Sequence, residues 1–398
     1  MTAGPRIVIT GLGVVSPVGV GEEAFFQALE DGTQAIRPDE AGAAEGSPLV
    51  ARVGDFGARQ HISANALRRM PRLSQMTVVA AKQALSASGA AYADTRTGVI
   101  LGTGLGTLGE TLDFVTGYLQ EGVEAASPAV FPVSVMNAPA GQLAVELKLR
   151  GVNSTTNHRD HSPLSALGMA ADYLALGRAD AIIVGGIEEV SFPVLHAYGQ
   201  LGGLSKTGVR PYDLGRDGLC LGESAAMVVL EREEDAVRRG ARIRAVLDGR
   251  GEFGDVRPRV GWGHAASWPE AVRTVRAAVA NLDPERISWV AGGGDGGALD
   301  ERELDSVTEA LGRLPPTSSI LGQVGESFSS SMLRVLAAIF ALERQRIPGT
   351  VGLVNAPPRH RDSLVLRTRA ATVDTVLVPS FAQGGANLAF VFGRSLLS

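Results

Sequence analysis

The sequence predicts an α/β protein with a mainly parallel, helix-covered sheet built as two similarly ordered halves. Three observations predict it. Short continuous apolar strands, Val99-Ile100-Leu101 and Ala181-Ile182-Ile183-Val184, are each closed by glycine. Helical patterns of small residues alternate with them, and 50 glycines with only 5% aromatics suit tight turns and close helix–sheet packing. The order then restarts: Trp289-Val290-Ala291 and Val376-Leu377-Val378 each run towards a glycine-rich turn.

Taken in order, Arg6-Ile7-Val8-Ile9-Thr10 is the first strand. Val152-Asn153-Ser154-Thr155-Thr156 is β-branched and Thr-rich, and leads through Asn157-His158-Arg159-Asp160-His161-Ser162 into a helical pattern from Leu164 to Leu176. Ala225 to Glu231 is another apolar strand, though no glycine follows it. Arg232 to Arg242 is charged and helical, a seam before the strand Ile243 to Leu247. Asp248 to Trp268, rich in Gly, Arg and Pro, is loop or irregular strand. The expected halves are 1–240 and 241–398, an internal pseudo-repeat of weak self-similarity with no low-complexity linker between its parts.

A chain of 398 residues with 45% hydrophobic content can bury a large core. A net charge of −5 gives no reason to expect nucleic acid or an anionic membrane as partner. The lone Cys220 excludes an internal disulfide and argues against a cysteine metal site. The N-terminus carries no signal sequence and no apolar stretch is long enough to span a bilayer, so a soluble, cytoplasmic protein without cofactor is expected.

The run from Asn157 to Ser162 has the layout of a strand, a tight turn and a buried helix, where α/β enzymes place a nucleophile. A cysteine there would have its thiolate stabilised by the positive end of the helix dipole. The chain offers Asp160. A carboxylate is a weak nucleophile towards a thioester, and its charged form at a helix N-terminus suits a capping group paired with Arg159 or a neighbouring histidine. Catalysis by Asp160 with His158 or His161 is the open alternative. The spacing of His158 and His161 invites a metal reading, but Arg159 between them and the absence of further ligands make a poor cation site. The run Gly292-Gly293-Gly294-Asp295-Gly296-Gly297 lacks the Lys-Ser/Thr of a phosphate loop and is expected to be a βα loop.

Several phrases are more specific. Ile9-Thr10-Gly11-Leu12-Gly13-Val14-Val15-Ser16-Pro17-Val18-Gly19 opens the chain, and Ala179 to Gly186 follows the buried helix. Arg210-Pro211-Tyr212-Asp213 leads into Arg216-Asp217-Gly218-Leu219-Cys220-Leu221-Gly222-Glu223. Arg346-Ile347-Pro348-Gly349-Thr350 and Gly384-Gly385-Ala386-Asn387 close it. In this order and spacing they resemble the β-ketoacyl synthase family of fatty-acid and polyketide assembly, over essentially the whole chain. The resemblance implies a thiolase-type fold of five α-β-α-β-α layers, normally dimeric, acting through one cysteine and two histidines.

On that resemblance the cysteine position falls on Asp160, the first histidine on Gly292 and the second on Gln323. The usual lysine falls on Ser318, the gating phenylalanine on Gln383, and Cys220 on an apolar lead-in where a buried small side chain is expected. The family includes chain-length factors, which lack the cysteine and pair with an active ketosynthase; the best-known aromatic-polyketide members carry glutamine where this chain has Asp160. The implied partners are a cysteine-bearing ketosynthase and an acyl carrier protein. The implied ruler is the helix from Leu108 to Leu119. There Leu112 and Val115 share one stripe and Thr111, Phe114 and Tyr118 an adjacent one, facing the partner's tunnel or making ordinary packing contacts. The rival expectations are an acyl-thioester enzyme using Asp160, and a homodimeric acyl-binding or scaffolding protein.

Overall fold

The structure is a computed structural model that describes residues 4–40, 47–89, 93–254, 268–382 and 384–395. Ten strands carry the fold. They are β1 (Ile7–Ser16), β2 (Thr97–Gly102), β3 (Asn153–Thr156), β4 (Ala181–Glu188) and β5 (Ser224–Arg232), then β6 (Ala245–Gly254), β7 (Trp289–Ala291), β8 (Thr317–Ser318), β9 (Thr375–Phe381) and β10 (Ala386–Gly393). With a short strand, Gly19–Val20, paired to β1, they form one 11-stranded sheet in the order β8-β7-β9-β10-β6-β1-β5-β4-β2-β3.

Outward from the central antiparallel pair β1–β6, the two sides repeat one another. β2 runs parallel to β3 and β4, as β7 does to β8 and β9. β4 is antiparallel to β5 and β5 to β1, as β9 is to β10 and β10 to β6. The expected mainly parallel sheet is therefore corrected. Parallel pairing is confined to the two ends, because β5 and β10 turn back beside β4 and β9 and place antiparallel ladders across the middle.

Five layers follow from which faces are buried. The inner faces of both sides pack on two helices, α4 (Ser162–Ala175) and α8 (Ser330–Arg344), in one continuous core. Thirteen of the 15 residues of α8 are buried, so it is enclosed all round and forms the middle layer with α4. One outer face is covered by α1 (Arg72–Ser88) and α3 (Ala138–Leu147), the other by α6 (Trp268–Ala278) and α7 (Asp300–Leu311).

Glycine sets the closeness of the outer helices. A Cβ at Gly11 or Gly13 of β1 would stand 2.1 and 2.0 Å from the Ala84 and Ala80 carbonyls of α1. At Gly249 and Gly251 of β6 it would stand 1.9 Å from the Ala278 and Thr274 carbonyls of α6. The same device serves the same purpose in each half. Asp248 to Gly254, expected as loop or irregular strand, completes β6, and the remainder up to residue 267 lies outside the described residues.

Two helices lie near the surface of the first half: α2 (Leu108–Glu121) and α5 (Phe192–Gln200). α2 buries no residue. Among the described residues no helix is long and apolar enough to cross a membrane.

Candidate functional site

β3 ends at Thr156, whose hydroxyl donates to the Ser162 carbonyl (2.7 Å) and so draws the start of α4 onto the strand. Ser162 closes the turn between them. Its Oγ accepts from the His158 N–H (2.9 Å) and donates to the Arg159 carbonyl (2.6 Å). Arg159 takes the left-handed backbone (φ 53) and opens a 3-10 turn, Arg159–His161, that runs straight into α4.

That turn puts Asp160 inside the helical run, so it caps nothing, and the capping expectation is corrected. Its carboxyl faces an internal cavity. Burial pushes it up to about 6, opposed by Arg159 and reinforced by Asp295. The expected preference for the charged form is therefore reversed: enclosure outweighs the helix dipole, whose effect decays within a turn.

Neither histidine serves Asp160. His161 is fully buried, with Nδ1 2.9 Å from the Ser380 hydroxyl and Nε2 between the Ala386 carbonyl (2.5 Å) and the Ala382 N–H (2.9 Å). Burial lowers it to about 4, which leaves it a neutral tie between the elbow and the β9–β10 turn. His158 is exposed and pairs with Ser165 Oγ (2.9 Å). Among the described residues no three acidic, Cys or His side chains are placed to hold a metal.

Gly292 follows β7. A Cβ on it would stand 1.9 Å from the Tyr212 hydroxyl oxygen. That hydroxyl donates to Glu303 (2.8 Å) and accepts from the Gly294 N–H (3.1 Å). Glu303 also accepts from the Gly293 N–H, and Asp300 from the N–H groups of Tyr212, Asp295 and Gly296. The Gly297 N–H goes to Asp295 (2.8 Å). The glycine-rich loop thus spends its donors on the protein's own carboxylates, the Tyr212 hydroxyl and the Ser318 carbonyl, and has none of these left for a phosphate.

Gln323 is buried and donates to the Ala28 carbonyl (2.9 Å), away from the cavity. Ser318 Oγ accepts from the Trp289 indole N–H (3.0 Å). Cys220 is buried, and burial pushes its thiol up to about 12, beyond use as a nucleophile. Gln383 lies outside the described residues.

Sequence reasoning missed what fills the centre. Arg334 of α8 is 4% exposed and donates to the carbonyls of Ala291 and Pro379. Around it stand Asp160, Asp295, Glu303, Glu326 and Tyr198. Burial, followed by Asp295 and Asp160, holds the Glu326 carboxyl well above the usual range. A lone arginine inside the apolar run Met332-Leu333-Arg334-Val335-Leu336 was the available signal. The cavity measures about 80 Å³, room for a few waters, whereas small-molecule sites commonly reach ~300–1,000 Å³. Among the described residues no thiol and no imidazole lines it.

The five expected tunnel residues lie on α2, and none lines this cavity. Thr111 Oγ1 donates to the carbonyls of Ser134 (2.7 Å) and Thr107 (3.0 Å), and the Phe114 ring packs 5.7 Å from Phe131. Those two fix the segment around Phe131. Leu112, Val115 and Tyr118 face outwards.

The match to known proteins covers this architecture end to end. Residues 5–236 match the family described as Beta-ketoacyl synthase, N-terminal domain, and the chain belongs to the β-ketoacyl synthase family. It is 30% identical to a 3-oxoacyl-[acyl-carrier-protein] synthase 2 of Vibrio harveyi, over 98% of each chain. Among solved structures it is similar to the ishigamide ketosynthase/chain length factor (28% identity, TM-score 0.90, 99% of this chain and 100% of that one). A type II polyketide acyl carrier protein in complex with its ketosynthase superposes with a TM-score of 0.86, covering 99% of this chain and 100% of that one; at 21% identity it speaks for the fold alone.

Proposed function

We propose that this chain is a ketosynthase-fold subunit that does not condense by itself. It pairs with a cysteine-bearing ketosynthase and limits the chain length of a polyketide or fatty acyl product during decarboxylative condensation of malonyl units on an acyl carrier protein. The observation that carries the reading is the filled centre. The Tyr212 hydroxyl takes the space a side chain at 292 would need, and the remaining cavity is too small for an acyl chain. The uncovered helix α2 supports pairing, because a 14-residue helix that buries nothing is marginal without a partner. The repeated strand order supports halves at 1–240 and 241–398, with the seam between β5 and β6.

The rival reading, turnover of an acyl thioester by Asp160 with His158 or His161, has less support, since each histidine is engaged elsewhere. Co-purification with a cysteine-bearing ketosynthase, followed by elongation from malonyl carrier protein, tests the pair. The expected result is products from the mixture and none from this chain alone. Thioester turnover by the isolated chain, abolished in Asp160→Asn, would sink the proposal.

A further inference from the structure

The central cavity is lined from both sides of the repeated fold. Asp160 and Tyr198 reach it from the turn before α4 and from α5, and Asp295, Glu326 and Arg334 reach it from the later side. α7 adds Asp300, Glu303 and Arg302, while α6 and β9 add only the uncharged Ala271, Ser380 and Phe381.

Donors are divided unequally among these carboxyls. Asp300 accepts from three backbone N–H groups, and Glu303 from the Gly293 N–H and the Tyr212 hydroxyl. Asp295 has the Gly297 N–H and the Asp300 side chain. Glu326 has only the Ser330 hydroxyl, at 2.8 and 2.9 Å. Among the described residues Asp160 has no donor beyond its own backbone N–H. Arg334 does not make up the difference. Its Nη1 is held by the carbonyls of Ala291 and Pro379, and its buried Nε has no hydrogen-bond partner. The Arg159 guanidinium lies over the Phe328 ring, 5.7 Å from its centroid.

The two carboxyls with fewest donors, Asp160 and Glu326, therefore face one cavity from opposite sides. Two carboxylates enclosed together resist ionising together. Burial raises Asp160 to about 6, opposed by Arg159 and Arg334 and reinforced by Asp295. Burial, then Asp295 and Asp160, holds Glu326 above the usual range. The cavity wall is thin at one place: Leu219, Asp295 and Leu299 line both this cavity and an outer cleft of about 550 Å³.

We propose that Asp160 and Glu326 form a proton-dependent latch between the two sides of the fold. While the pair keeps a proton the cavity stays shut off from the outer cleft. When that proton passes to solvent, the two carboxylates and Asp295 repel one another, the glycine-rich loop moves outwards, and the two spaces join. The latch is a property of this chain and needs no partner.

Hydrogen exchange on the full chain, read by mass spectrometry and corrected for the intrinsic pH dependence of exchange, follows the amides of Gly293 to Gly297. These bond the carboxylates of Glu303, Asp300 and Asp295 and the Tyr212 hydroxyl. From pH 5.5 to 8.5 their protection is expected to fall at least tenfold in the wild type, while β1 and β5 keep theirs. In Asp160→Asn/Glu326→Gln it is expected to stay within twofold over the same range. A loss of wild-type size in that variant, a loss shared by β1 and β5, or no loss in the wild type overturns the latch. Should the double variant fail to fold, Asp160→Asn alone is expected to shrink the loss at least threefold, because Glu326 then ionises without a charged neighbour at 160. A loss of wild-type size in the single variant overturns the latch equally.

Discussion

The Tyr212 hydroxyl oxygen lies 1.9 Å from the point a Cβ on residue 292 would occupy, although Tyr212 and Gly292 are 80 positions apart in the chain. The two positions depend on each other. A bare glycine makes room for the ring, and the ring spends its hydroxyl on Glu303 and on the backbone of the loop that Gly292 begins. The space beside Gly292 is therefore filled, and a side chain there would have to displace Tyr212.

Gly292→Ala is expected to destabilise the fold by about 1–3 kcal/mol through overpacking against Tyr212. Tyr212→Phe alone should cost about 1–3 kcal/mol by leaving Glu303 and the Gly294 N–H short of a partner. Combined, they should cost less than their sum, by about 1 kcal/mol, since Phe removes the clashing oxygen. Chemical denaturation of the four proteins reads the coupling; simple additivity would count against it.

Under the proposed reading, introducing the residues that the family resemblance implies should not confer chemistry. Asp160→Cys/Gly292→His/Gln323→His is expected to give no measurable condensation with malonyl carrier protein, because Tyr212 and Arg334 still occupy the centre. Activity in that triple variant would show the centre to be more open than its 80 Å³ cavity.

Asp160 and His161 should pull stability in opposite directions with pH. The Asp160 carboxyl, raised to about 6 in the fold, binds its proton more tightly folded than unfolded, so it costs stability as pH rises from about 4 to 6 and the cost persists above. Asp160→Asn is therefore expected to stabilise by about 1 kcal/mol at pH 7.5, discounted for the carboxyl's contact with cavity water, and the gain should vanish below pH 4. His161, lowered to about 4, contributes stability above about 6.5 that is lost as pH falls towards 4. His161→Gln should flatten that acid limb while lowering stability at neutral pH by about 1–3 kcal/mol. Melting curves from pH 4 to 8 separate the two, and an Asp160→Asn gain independent of pH would contradict the account.

Arg334→Met should be strongly destabilising, by about 3–5 kcal/mol, since it strands Asp295, Glu303 and Glu326 without their buried cation. Adding Glu303→Gln should recover part of the loss. A neutral effect of Arg334→Met in urea unfolding would remove the guanidinium from its central place.

On α2 the structure separates five residues that the sequence stripes grouped. Tyr118→Ala or Phe114→Ala in the reconstituted pair is expected to lengthen the products, read by mass spectrometry. Thr111→Val should leave length unchanged, because its hydroxyl bonds the backbone carbonyls of Thr107 and Ser134. Unchanged products for both aromatic variants would sink the ruler.

Much of the frame was legible because it is local. Continuous apolar runs marked β2, β4, β5, β7 and β9, and the β-branched run with its turn marked β3 and α4. The glycine pairs Gly11/Gly13 and Gly249/Gly251 record the repeat, although their shared purpose shows only once α1 and α6 lie against them. The antiparallel centre was not legible, since strand direction depends on which distant strand each run meets. Asp160 was visible as a substitution and misjudged as a cap, because its surroundings come from Asp295, Glu326 and Arg334, well over a hundred residues away.

The sequence by itself determined that this is a ketosynthase-type frame with Asp160 at the turn between β3 and α4 and a glycine run after β7. Element order, turn glycines and the residues at the turn into α4 are all properties of short stretches of chain. Only the tertiary structure decided what fills the centre: Tyr212 beside Gly292, and Arg334 among the cavity carboxylates. Occupancy is a matter of volume and charge at one point in space, and residues from both halves of the chain reach that point only when the core has closed around them.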